Sequence, residues 1–169
     1  MRLAPQIQAF FEAAPKELLD FLTVQEQRQL IRHLSDLNYL RFGRRAEPVA
    51  AVADLMVPVD GGQITVRAYR PSNQAPLPAP IELHGGGWWL GSIDEHVNEA
   101  ICRYWCVHAH CVVLAVEYRL APEHPFPTAV DDLDFRSFEG NAVTVRRGRP
   151  TGSRRDVAVG ECAGYPGRS

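Results

Sequence analysis

An α/β architecture on an open, mostly parallel sheet is what this sequence predicts, and three observations predict it. Apolar runs with a period near two alternate along the chain with stretches of helical period, the ordering that lays helices on a sheet. One run, Cys111 to Glu117 (CVVLAVE), is almost wholly apolar and therefore needs cover on both faces, as a strand inside a parallel sheet has. A helix-suited stretch, residues 94–108, lies between that run and an earlier short strand, Ile81 to Leu83.

The elements follow in order. Residues 3–40 read as helical: Leu3, Ile7, Phe10 and Phe11 recur at helical spacing, as do Leu18, Leu19 and Leu22, then Leu30, Ile31 and Leu34. Pro15 suits the first turn of the second of these helices. Arg41 to Pro48 is a polar connector. Beyond Val49 the period shortens: Val57 and Val59, then Ile64, Val66 and Ala68 alternate with other residues, and Asp60-Gly61-Gly62 between them is a hairpin turn. Residues 71–80, with four prolines, form a loop. Ile81 to Leu83 then runs into His84-Gly85-Gly86-Gly87. After the apolar strand, Tyr118 to Pro127 is a loop and Ala129 to about Phe135 starts a helix. From Arg136 to Ser169 the text changes, with seven arginines and six glycines against three acids and no sustained helical period. With 17 arginines to one lysine in the chain, such arginine- and glycine-rich text suggests a GC-rich gene read out of frame near residue 136. The division expected is a helical, cap-like segment over 1–48 and a partial core over 49–169, in which 136–169 is a poorly ordered tail.

Composition bounds the function. A chain of 169 residues, 46% apolar and 22% charged, holds one soluble domain with a sizeable core. A net charge of −2 gives no reason to expect nucleic acid as a partner. No run approaches the roughly 18 apolar residues of a membrane span. The N-terminus lacks a basic stretch followed by an apolar one, so a secretory signal is not expected. The reading is a cytoplasmic protein with reduced cysteines.

The glycine run carries a chemical logic of its own. Acyl transfer builds negative charge on a carbonyl oxygen, and backbone N–H groups aimed at that oxygen stabilise it. Glycine lets the backbone turn sharply and approach a substrate closely. Trp88 and Trp89 follow at once, suited either to lining an acyl pocket or to packing on the first helices. Within Tyr118 to Asp132, the charges Arg119, Glu123 and Asp132 are expected to pair beneath the glycine loop and fix its geometry. Asp131 and Asp132 as an acid/base pair is the weaker reading. Cys102, Cys106, His108, His110 and Cys111 match no zinc spacing, and cysteine is at home in apolar cores, so no metal site is assigned.

Three segments, Val57 to Pro71 (VPVDGGQITVRAYRP), His84 to Ser92 (HGGGWWLGS) and Tyr118 to Asp132 (YRLAPEHPFPTAVDD), resemble in composition and order the N-terminal half of the hormone-sensitive-lipase-like carboxylesterases, a family of α/β-hydrolases. The resemblance covers roughly residues 55–135. It implies an α/β-hydrolase fold with a truncated, mostly parallel sheet and N-terminal cap helices, an acyl-enzyme mechanism without cofactor, and a small-molecule ester as substrate or ligand. It implies an oxyanion hole from Gly85, Gly86, Gly87 and Ala163, with Gly86 and Gly87 as donors and Gly85 shaping the turn, and His84 as the residue that orients the loop. Where the family carries a G-D-S-A-G nucleophile turn, this chain has Gly160-Glu161-Cys162-Ala163-Gly164, which puts Cys162 at the nucleophile position. A thiol can serve there if a base or local field lowers its pKa. In this fold the acid and the histidine follow the nucleophile, and residues 163–169 contain neither; all six histidines precede Cys162. The expectation is a carboxylesterase-type chain without turnover, or else a ligand-binding protein on the same fold or a non-functional truncation product. An unpaired sheet edge is expected to favour self-association.

Overall fold

The computed structural model describes residues 21–72 and 77–133 in full, and the backbone of two short strands at 145–147 and 157–159. The earlier helices of the 3–40 reading, the frame disruption near residue 136 and the elbow at Cys162 and Ala163 lie outside the described residues.

Helix α1, Val24–Phe42, starts where Thr23 and Glu26 cap each other: the Thr23 hydroxyl accepts from the Glu26 N–H at 3.3 Å, and the Glu26 carboxylate accepts from the Thr23 N–H at 2.8 Å. No residue of α1 is fully buried. Leu30 and Ile31 are half-buried, while Leu34 and Leu37 stay exposed. Polar contacts therefore dock the helix: Arg32 with Asp94, Ser35 with Glu95, and Asp36 with His96.

Strands β1, Ala51–Val59, and β2, Gly62–Arg70, form the predicted hairpin around the turn at Asp60 and Gly61. Within the proline-rich 71–80 stretch lies a two-residue strand, β3, Leu77–Pro78. Then come β4, Ile81–Leu83; α2, His96–His108; β5, Val113–Glu117; a single-turn helix α3, Thr128–Asp131; β6, Val145–Arg147; and β7, Val157–Val159. Peptide bonds before Pro122 and Pro127 are cis.

The main sheet has the order β1-β2-β5-β4. It is mixed: β4 and β5 run parallel, as a strand–helix–strand unit requires, and the hairpin adds two antiparallel pairings. Strand β5 shows why its sequence is apolar throughout. Val112, Leu114 and Val116 point into one buried cluster with Val57, Ile64 and Val66; Val113 and Ala115 point into another with Tyr69, Cys102 and Cys106. Helix α2 covers the second face through Cys102 and Cys106. The apolar run Val157–Val159 is a strand, but it lies antiparallel between β3 and β6 in a second, three-stranded sheet.

Candidate active site: the glycine loop and its frame

Parallel pairing of Leu83 with Val116 delivers His84 to the C-terminal end of the sheet, and the glycine loop begins there. The chain reverses at once. Leu90 and Trp89 N–H groups return to the Gly86 carbonyl at 3.1 and 3.3 Å. Gly86 has φ +129° and Gly87 has φ +60°. A Cβ on Gly86 would collide with the Leu90 carbonyl, so the turn admits no side chain there. Trp88 adopts φ +69°, a conformation that a bulky residue takes only when its surroundings hold it. The Ala121 N–H, 2.9 Å from the Trp88 carbonyl, is one such hold. Among the described residues, no acceptor meets the N–H groups of Gly86 or Gly87. Two adjacent donors on a loop at the end of a sheet can receive an anionic oxygen.

His84 is buried, its ring stacked on Tyr118 with centroids 4.3 Å apart. The Tyr118 hydroxyl donates to the His84 carbonyl at 2.7 Å, and His84 Nδ1 lies 2.9 Å from the Gly85 carbonyl. A carbonyl only accepts, so Nδ1 carries the proton. Nε2 is buried without a partner among the described residues. This imidazole is buried in the wall of the loop.

Gly91 belongs to the same construction, although the sequence reading singled out only Gly85 to Gly87. Its φ is +97°, and a Cβ would run into the Gly85 carbonyl and His84 Nδ1. The hint was its place in HGGGWWLGS, four residues beyond Gly87. Past it, the Glu117 carboxylate accepts from the Ile93 N–H at 2.6 Å and ties the loop's exit to the end of β5.

The charges of the third segment pair, but not as one set. Arg119 and Asp132 form a bidentate ion pair at 2.6 to 3.1 Å, and the Arg119 N–H donates to Asp132 as well at 2.9 Å. Arg119 also donates to the Asp60 carbonyl at 2.8 Å, joining the 118–127 loop to the hairpin turn. Asp132 has no exposed surface and Asp131 is exposed, so the two carboxylates do not form an acid/base pair. Glu123 turns away from Arg119 and pairs with Arg28 of α1 at 2.8 and 2.9 Å. Hydrogen bonding to Arg28 holds the Glu123 carboxyl below its ordinary range.

Trp88 is half exposed and leans on Tyr118. It lines a small cavity of about 220 Å³ with Ala121, His124, Phe126, Pro127 and Val130. Trp89, half-buried, turns its carbonyl toward α1, where Arg28 holds it. Cys102, Cys106 and Cys111 are buried, and burial pushes the Cys102 thiol up to about 12 and the Cys106 thiol to about 11. They are core residues of the face under α2.

A family profile described as alpha/beta hydrolase fold matches residues 67–134. The chain is 49% identical over 81 residues to the carboxylic ester hydrolase LipN of Mycobacterium tuberculosis, covering 48% of this chain and 21% of that protein. It is 33% identical over 135 residues to an arylesterase of Saccharolobus solfataricus, covering 78% and 42%. Among solved structures it resembles an esterase of Pyrobaculum calidifontis, with TM-score 0.64, 35% identity and coverage of 78% and 40%. It also resembles the carboxylesterase EstE1 from a metagenomic library, with TM-score 0.59, 42% identity and coverage of 66% and 36%. The chain thus spans well under half the length of these relatives. The shared segment is the one that carries the glycine loop and its frame; it has the α/β-hydrolase fold, and in it the chain is similar to carboxylesterases of the hormone-sensitive-lipase-like kind.

Proposed function

We propose that this chain carries the oxyanion-binding part of a carboxylic ester hydrolase. The observation that supports it most is the glycine loop: two neighbouring N–H groups without a described acceptor, on a turn that admits no side chain at Gly86 and is fastened from three sides. Gly86 and Gly87 donate to the developing oxyanion, with Ala163 as the third donor; Gly85 shapes the turn and His84 orients it. Cys162 stands at the nucleophile position, where enzymes of this kind form the acyl-enzyme, and no cofactor enters that chemistry. Residues 49–169 form the hydrolase core and 1–48 the cap. The protein works in the cytoplasm on small esters. Among the described residues one edge of β4 has no neighbouring strand, which favours self-association.

The 169-residue polypeptide by itself lacks a histidine beyond Cys162 to act as base. It therefore hydrolyses a short-chain p-nitrophenyl ester no faster than an isolated oxyanion hole allows, on the order of 10³–10⁴ over water. Cys162→Ser leaves that rate unchanged, because a hydroxyl depends on the absent base more than a thiol does. Turnover at an ordinary enzymatic rate, abolished by Cys162→Ala, contradicts this account of the chain.

A further inference from the structure

We propose that Arg28 is a positioning residue for the glycine loop, coupling the loop's conformation to the docking of helix α1. This deepens the proposed function, resting on the loop being the oxyanion site. The guanidinium of Arg28 makes contacts of two kinds. Its Nε donates to the Trp89 carbonyl at 2.6 Å, and a terminal nitrogen donates to the Ala121 carbonyl at 2.6 Å. Both terminal nitrogens also hold the Glu123 carboxylate, at 2.8 and 2.9 Å. One planar group thus bridges the exit of the glycine loop to the 118–127 loop, and it does so from a third element more than 60 residues away in sequence.

The bridge sits where the backbone needs it. Trp88, next to the bridged carbonyl, is the residue held at φ +69°, and its own carbonyl takes the Ala121 N–H. Arg28 holds the carbonyls on either side of that bond, Trp89 in one loop and Ala121 in the other. A bulky residue in the left-handed region relaxes when its restraints are removed, and relaxation at Trp88 turns the peptide that follows Gly87. Meanwhile Arg28 is only about one-fifth exposed, and no apolar residue of α1 is fully buried, Leu30 and Ile31 being half-buried. The fork geometry is the point: a lysine ammonium cannot span two carbonyls and a bidentate carboxylate at once.

Amide hydrogen exchange on the full 169-residue chain tests this, because it reads the loop without depending on turnover. In Arg28→Ala, exchange over residues 84–92 and 118–124 rises at least tenfold while exchange in β5 stays as it was. Arg28→Lys behaves like Arg28→Ala. Methylguanidinium at tens of millimolar slows the loop's exchange in Arg28→Ala and leaves the parent unaffected. Arg32→Ala, which removes a neighbouring α1 ion pair but touches neither loop carbonyl, leaves residues 84–92 unchanged. Loop exchange that does not respond to Arg28→Ala overturns the proposal, as does a rise shared equally by β5, which marks general destabilisation. Rescue by lysine also overturns the bridging role. An unresponsive loop says nothing against the oxyanion assignment, which the ester and carboxylate measurements address separately.

Discussion

Asp132 and Asp131 are adjacent, equally acidic in the sequence, and opposite in consequence. Asp132 has no exposed surface and accepts from the Arg119 guanidinium and from the Arg119 N–H. In Asp132→Ala the Arg119 guanidinium loses its counter-charge at a site 17% exposed, and a backbone donor loses its acceptor. Breaking a buried pair from one side costs about 3–5 kcal/mol, because the remaining charge stays desolvated. Asp131 is exposed, and a surface change of that kind falls within about 0.5 kcal/mol. Small domains hold only about 5–15 kcal/mol in total, so Asp132→Ala removes at least about a fifth of the stability. The assay is urea denaturation followed by tryptophan fluorescence, with Asp131→Ala in parallel. A midpoint that falls sharply for Asp132→Ala and stays put for Asp131→Ala is expected. Equal shifts, or less than about 1 kcal/mol for Asp132→Ala, would refute the reading of the pair as a buried strut between the 118–127 loop and the hairpin turn.

Two further outcomes follow from the same geometry. Gly91→Ala meets the Gly85 carbonyl and a positive φ, so it lowers the melting temperature well beyond Gly85→Ala, where a Cβ finds open space; similar melts for the two variants would contradict the loop's conformation. Cys102 and Cys106, buried and protonated, react with a thiol reagent at pH 8 only after denaturation. Because the fold raises these thiols above their ordinary 9.0, it binds their protons more tightly than the unfolded chain does. That contribution to stability is complete below pH 9 and is lost as pH climbs toward about 11 and 12, so a denaturation midpoint constant across that window argues against it.

The sequence was most legible where physics is local. Asp60 and Gly61 between alternating runs could make little but a hairpin, and the strand at 113–117 announced its two buried faces by having no polar side. The glycine loop was readable because three successive glycines let the backbone turn sharply at the end of a strand. What stayed hidden was long-range. Glu123 is charged and sits beside Arg119 in sequence terms, yet its partner is 95 residues away on α1, a helix whose charges look like a solvated face. The strand β3 was masked by prolines, and the apolar run 157–159 gave no sign that it would pair antiparallel in a second sheet. Gly91 carries no local mark, because the atoms its Cβ would meet belong to Gly85 and His84, which the fold brings back against it.

The central claim is that the Gly86 and Gly87 N–H groups form an anion-receiving pair, and a butyrate titration of the ¹⁵N-labelled chain tests it most directly. A carboxylate offers the same oxygen charge that develops during ester hydrolysis, without requiring turnover. The account predicts saturable amide shifts at Gly86 and Gly87, absent with butyramide and weakened in Arg28→Ala. Shifts that spread evenly over the surface, or resonances of Gly86 and Gly87 that do not move as butyrate approaches saturation elsewhere, would contradict it.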